Sequence, residues 1–167
     1  MSRIRRLRSV SLVFIFASLM AACGPAEQSA GPADGRVQLG EHENYKDFGR
    51  YVIHVNALTT DQLPPDVAKT YGIVRSGTRA LLNVVVLKKV EGLTDQPVSG
   101  DISVMAANLT GQNKGMTMRK VTEQDAIYYI GEAAVSSREI LIFDIDVVPE
   151  NETEKFALRF KKEFFGG

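Results

Sequence analysis

The side chains with the most chemical reach in this sequence are few. They are one cysteine (Cys23), two histidines (His42 and His54), and the aspartates Asp144 and Asp146, which stand one residue apart. A thiolate is a nucleophile and a metal ligand, but a lone cysteine cannot close an internal disulfide. An imidazole is the usual general base near neutral pH. Two carboxylates at i and i+2 of a strand point to the same side, because side chains alternate between faces. With a further oxygen ligand such a pair would begin a calcium site. Glu132, on the strand expected just before them, is the candidate neighbour across a hairpin. A metal-binding or hydrolytic reading therefore rests on His54, Asp144 and Asp146. Against it, Arg159 and Lys161 repeat the same spacing on the following strand. Cross-strand opposite charges make a salt-bridged, solvated face the favoured expectation. His42 sits between Glu41 and Glu43 with no second histidine nearby, a poor zinc or copper site.

Arg75 and Arg79 flank the turn Ser76-Gly77-Thr78 and, with Lys69, form a basic spot suited to an acidic ligand or partner. Arg75, Arg79 and His54 are thus the candidate partner-binding residues. No G-x-S-x-G elbow, phosphate-binding loop or dinucleotide fingerprint is present. Neither a catalytic constellation nor a cofactor is expected. The formal net charge of the chain is zero, but Arg3, Arg5, Arg6 and Arg8 all precede residue 10. Without them acidic residues outnumber basic ones by four, which argues against nucleic acid as a partner.

Cys23 has its own context. "SRIRRLR" (2–8) is a basic leader and "VSLVFIFASLMAA" (10–22) an apolar run. The run is shorter than the roughly 20 residues a membrane span requires, and it ends in small residues, as secretory signal peptides do. "LMAACG" (19–24) resembles the bacterial lipobox, in which cleavage before the cysteine leaves it carrying a diacylglyceryl thioether. Signal peptide 1–22 and lipid attachment at Cys23 are therefore expected, ahead of cleavage to a free thiol or retention as an uncleaved anchor. Gly24 in place of Asp leans toward the outer membrane. Residues 24–36, "GPAEQSAGPADGR", cannot build a core. They read as a flexible tether with a reach of ~20 Å. The expectation is a lipid-anchored protein facing the periplasm, with its domain over 37–167.

Within that domain the hydrophobic period is mostly two. Seven strands are predicted, in 50–60, 78–89, 98–111, 115–121, 126–136, 139–148 and 154–165, separated by Gly/Pro/Asn/Asp/Ser turns. The second, "TRALLNVVVLKK", is nearly continuously apolar and reads as a central strand buried on both sides. Residues 64–72 predict one short helix, with prolines at its start and Gly72 just past its end. Tyr128 and Tyr129 must face opposite ways, and Phe164 and Phe165 end a strand that docks into the fold or offers an apolar edge. The fold class is all-β, an immunoglobulin-like sandwich of about seven strands with one short helix. Lacking tryptophan and any disulfide, it relies on apolar burial alone.

Several of these segments together resemble a family of small bacterial envelope proteins defined as a domain of unknown function, DUF4426. They include "ENYKDFGRYVIHVNAL" (43–58), "LPPDVAKTYGIVRS" (63–76), "RALLNVVVLKK" (79–89), "DAIYYIGEAAVS" (125–136) and "FDIDVVPE" (143–150). The resemblance implies an exported protein and carries over no catalytic residue. The function expected is non-catalytic: binding or scaffolding of an envelope protein partner.

Overall fold

The chain folds as two facing sheets in the computed structural model, which describes residues 35–166; all strand pairs are antiparallel except β1 with β10, which is parallel. The expected signal peptide, Cys23 and nearly all of the expected tether lie outside the described residues. The strands are β1 (Val37–Gln38), β2 (Tyr45–Asp47), β3 (Tyr51–Thr59), β4 (Arg79–Lys88), β5 (Gln96–Pro97), β6 (Gly100–Asn108), β7 (Arg119–Thr122), β8 (Ile127–Ala134), β9 (Glu139–Pro149) and β10 (Phe156–Phe164). One sheet has the order β1-β10-β9-β6, and the other β2-β3-β4-β8-β7, with β5 paired to β4. All seven predicted strands are present. The fourth is shorter than expected, since residues 115–118 lie outside it. Three short strands (β1, β2 and β5) have no periodic signal because two or three residues cannot carry one.

The inner faces follow from the alternation. Ile53, Val55 and Ala57 of β3 oppose Val86, Val84 and Leu82 of β4. Across the gap, Leu141, Phe143, Ile145 and Val147 of β9 are fully buried with Leu158 of β10. Phe143 packs against Phe160 and Phe164 at centroid distances of 6.1 and 6.3 Å. Phe164 is thus the docking residue of the last strand, while Phe165 is exposed. Tyr129 faces this core and its hydroxyl accepts a hydrogen bond from the Gly100 N–H at 2.8 Å. Met116 and Met118 lean over Gly131, where a Cβ would stand only 2.6 Å from Met118 Sδ.

The connection from β3 to β4 is not a tight hairpin. It makes an excursion through a 3-10 turn (Thr60–Gln62) and the helix α1 (Pro65–Thr70). Pro65 occupies the first helical position, Asp66 the first turn and Lys69 the last, each favoured by the helix ends. Gly72 follows with φ +64°. The bonds Ile73 N–H to Ala68 O (2.8 Å) and Gly72 N–H to Lys69 O (3.2 Å) close a Schellman motif. Thr60, fully buried, anchors the excursion. Its hydroxyl lies 2.9 Å from Val74 O and accepts from Ser76 N–H, also at 2.9 Å. Ala68 and Ile73 then pack on Leu81 and Ile130, forming a second, smaller core on the outer face of the β2–β7 sheet. β4 is therefore fully buried on its inner side, while on its outer side Leu81 is buried and Asn83, Val85 and Leu87 are half-buried, less than the burial on both sides that its sequence implies.

Phe143 sits at the centre of the larger core and its removal leaves a cavity. Phe143→Ala should destabilise the domain by about 3–5 kcal/mol, read as a lowered midpoint in urea unfolding.

Candidate functional site

The excursion that carries α1 does not seal the sheet beneath it. Between them lies a cleft of about 300 Å³. Its floor comprises Asn56 and Leu58 of β3, Leu81 and Asn83 of β4, Tyr128 and Ile130 of β8, and Val121 of β7. Leu63, Val67, Tyr71 and Ile73 form the other wall. No charged side chain lines it. Asn56 and Asn83 are directly opposite in the β3–β4 register, so their amides share one face. Asn83 Oδ1 is buried and has no hydrogen-bond partner, alone among the side-chain polar atoms of the described residues in this respect.

The mouth is tied across by two straps from β7 and the turn after it. The Tyr71 hydroxyl donates to the Glu123 carboxylate, and Arg119 Nη2 donates to the Tyr71 carbonyl at 2.5 Å. The carboxylate beside it pushes the Tyr71 phenol up to about 12, aided by burial, so the hydroxyl stays protonated throughout the physiological range. A concave, mostly apolar surface with a few convergent polar groups is the usual form of a ligand site, and this cleft has that form.

The residues singled out in the sequence are distributed differently. His54 lies on the same outer face as Asn56 but outside the cleft, stacked on Tyr45 at 5.5 Å. Arg79 lies on that face two residues before Leu81, paired with Glu132 at 3.2 Å. Arg75 turns onto the Asp61 carbonyl at 2.5 Å. Asp144 and Asp146 project from the outer face of the other sheet, so they do not converge with His54. The expected neighbourhood of Glu132 and the aspartates is corrected as well. β8 and β9 are consecutive in sequence but belong to different sheets, so they form no hairpin. Arg159 stands opposite Asp144 in register and grips it through two bonds of 2.6 and 2.8 Å. Asp146 accepts from Arg36 at 2.5 Å and Lys155 at 3.3 Å. Among the described residues no group of three His, Cys, Asp or Glu side chains is placed to hold a metal.

Asn83 is not among the residues that the sequence pattern singles out. Its signal was present: one amide interrupting the apolar run "ALLNVVVL".

Two predictions come from these environments. A buried acceptor without a donor is destabilising, and leucine has a similar volume. Asn83→Leu should therefore stabilise the domain by about 1 kcal/mol, raising the thermal midpoint by about 3–5 °C. The second concerns pH. Burial pushes the Asp146 carboxyl up, but Arg36 and Lys155 outweigh it and hold the group below its ordinary value. Burial likewise raises Glu139, and hydrogen bonds from Lys114, the Ser136 N–H and Asn108 more than reverse it. Carboxyls lowered in the folded state stabilise it fully above their unfolded pKa of about 4, and that stability is lost as pH falls through the folded values. The thermal midpoint should hold between about pH 7 and 5.5 and drop below about pH 4. Asp146→Asn should flatten that acid limb; an unchanged limb would show that Asp146 contributes nothing to it.

Comparison with known proteins places this geometry. The chain is similar to a DUF4426 family protein from Pseudomonas aeruginosa PAO1 of known crystal structure, with 32% identity, a TM-score of 0.63, and coverage of 74% of this chain and 94% of that one. No curated protein matches it. The family model for the domain of unknown function DUF4426 matches residues 45–166, which takes in every strand except β1, together with α1 and every residue of the cleft, and the chain belongs to that family.

Proposed function

We propose that this protein is a lipid-anchored module facing the periplasm that binds an envelope component without catalysis, and that the cleft under α1 is its binding surface. The observation that carries the reading is the character of that cleft. It is concave, walled by aliphatic and aromatic side chains, and free of charge. Such a surface recognises by burying apolar area and offers no nucleophile, paired acid and base, or metal ligand set. The charged groups that would serve chemistry are instead engaged in pairs elsewhere on the sandwich. The anchor rests on "LMAACG" and the tether behind it, which would hold the domain close to the membrane. Several acyl chains anchor stably where one does not.

Two measurements test this. Mass spectrometry of the mature N-terminus should find Cys23 carrying a diacylglyceryl group; cleavage elsewhere or an unmodified cysteine would remove the anchor. A photo-crosslinking residue placed at Val67, on the cleft wall, should capture a specific envelope component in cells. The same residue at Ser103, exposed on the opposite sheet, should not. Equal labelling from both positions would show that the cleft is not the binding surface.

A further inference from the structure

We propose that the open edge of β6 receives the last residues of a partner polypeptide as an added antiparallel strand, and that Lys120 and the Tyr129 hydroxyl hold its terminal carboxylate. This is a second surface with its own partner, so crosslinks from Val67 and from Ser103 would identify different molecules.

The two sheets differ in width. Tyr51 of β3 packs on Phe156 of β10, and the Tyr129 hydroxyl of β8 meets the Gly100 N–H of β6. β10 thus lies over β3 and β6 over β8, which leaves β7, the last strand of its sheet, with no strand opposite. The chain itself starts to fill that place. After β6 it turns back, with Asn108 N–H bonded to Gln112 O at 3.1 Å and Lys114 N–H to Ala106 O at 2.8 Å. Gly115, at φ +52°, then diverts it to the other sheet, where β7 begins at Arg119. The stretch of β6 from Asp101 to Met105 is left bare. Backbone groups alternate in direction along a strand, so Ile102 and Val104 turn their N–H and C=O to the same edge as Ala106 and Asn108. No described residue bonds to them there. Their side chains point inward yet are half-exposed, whereas their register partners Val147 and Ile145 are fully buried. The other sheet edges, β1, β2 and β7, are blunted by being two to four residues long. Donors and acceptors repeating every second residue along one line are met by an extended backbone.

The ends of the gap set the direction. Lys114 closes it beside Ala106, so a strand continuing that line runs toward Gly100 and stops there. At that end lies a polar hollow of about 410 Å³, with Ser99, Lys120, Tyr129 and Asn151 in its wall. Lys120 Nζ donates to Ser99 Oγ at 2.6 Å and meets no carboxylate among the described residues. Tyr129 is only 5% exposed, and among the described residues its hydroxyl, which accepts from Gly100, has no acceptor for its own proton. In an antiparallel ladder the Gly100 N–H would bond the carbonyl opposite. Tyr129 has taken that bond and offers its proton to the incoming oxygen instead. An ammonium group and an unspent hydroxyl at the end of a strand-wide gap suit a chain terminus. Of the acidic side chains nearby, Glu152 is engaged by Arg50 and Tyr51, and Asp101 projects from the outer face. Partner side chains opposite Ile102 and Val104 enter the sandwich and should be apolar, and the one opposite Asp101 should be basic.

The probe is the hexapeptide Thr-Val-Thr-Val-Lys-Val with fluorescein on its amino end, in three forms: free carboxylate, carboxamide, and free carboxylate with the first two valines N-methylated. Each is titrated with the full chain in detergent and followed by fluorescence anisotropy. The free acid should bind, the carboxamide should bind about tenfold more weakly, and the N-methylated form, which cannot donate to Ile102 and Val104, should not bind. Lys120→Met, at an exposed position, should keep the thermal midpoint and reduce the free acid to the affinity of the carboxamide. Equal binding of acid and carboxamide, or an unchanged free-acid affinity in Lys120→Met, would overturn the carboxylate site. Binding indifferent to N-methylation, or no binding up to hundreds of micromolar protein, would overturn strand addition at β6.

Discussion

Strand β4 has two faces to hide, and the rest of the fold is arranged around that requirement. Leu82, Val84 and Val86 look inward and Leu81, Asn83, Val85 and Leu87 outward. Each large apolar side chain removed from water contributes roughly 1.5–3 kcal/mol, so a strand apolar on both sides is stable only between two layers. The facing sheet covers the inner side, where β9 and β10 supply a phenylalanine cluster. The outer side has no second sheet. It is covered in part, over Leu81, by the chain's own connection from Thr59 to Arg79, which would otherwise have been a hairpin turn. Prolines at its start, Gly72 at its end and the Thr60 hydroxyl beneath it give this stretch a defined shape. A six-residue helix is too small to cover the exposed width of the sheet. The cleft is what is left over, and its position follows from the length of that helix.

The opposite sheet solves its outer face in another way. Asp144 and Asp146 of β9 stand in register with Arg159 and Ala157 of β10, and Arg36 reaches across to Asp146 from just before β1. Matched charges on a half-exposed face add little stability each, but they keep the face hydrated and fix the register. The free edge at β6 is guarded at one end, where the chain after it folds back and bridges Asn113 to Ala107. One sheet thus carries paired charges on its outer face while the other is left with an uncharged recess.

Much of this was readable in the sequence, for reasons that can be traced. Long strands with one dry face leave a period of two, so β3, β6, β8, β9 and β10 were plain, and the unbroken run in β4 signalled burial on both sides. The salt bridge of Asp144 with Arg159 was readable because hairpin strands keep matching spacing opposite one another. The pairing of Glu132 was not, because nothing in 132–146 tells whether a turn returns to the same sheet or crosses to the other. That choice depends on tertiary packing. The cleft was unreadable for the same reason: its walls come from β3, β4, β7, β8 and α1, which only the closed fold assembles. Even so, the residue that distinguishes it was visible as an amide among aliphatics.

Among the described residues, Asn83 alone has a buried side-chain polar atom without a partner, so its local and global preferences disagree. Everything around it favours a branched aliphatic: the central strand, the apolar neighbours, the lack of a donor within reach. Sequences that fold well keep such conflicts few, and those that persist concentrate where the molecule has another task. A structural role for Asn83 would require a partner inside the fold, and its oxygen has none. Its register neighbour Asn56, the other amide on this face, is exposed and lines the same recess. Two amides side by side on an otherwise apolar floor are poorly explained by packing. They keep the floor of the recess from being wholly apolar at the place where the short helix leaves the sheet uncovered.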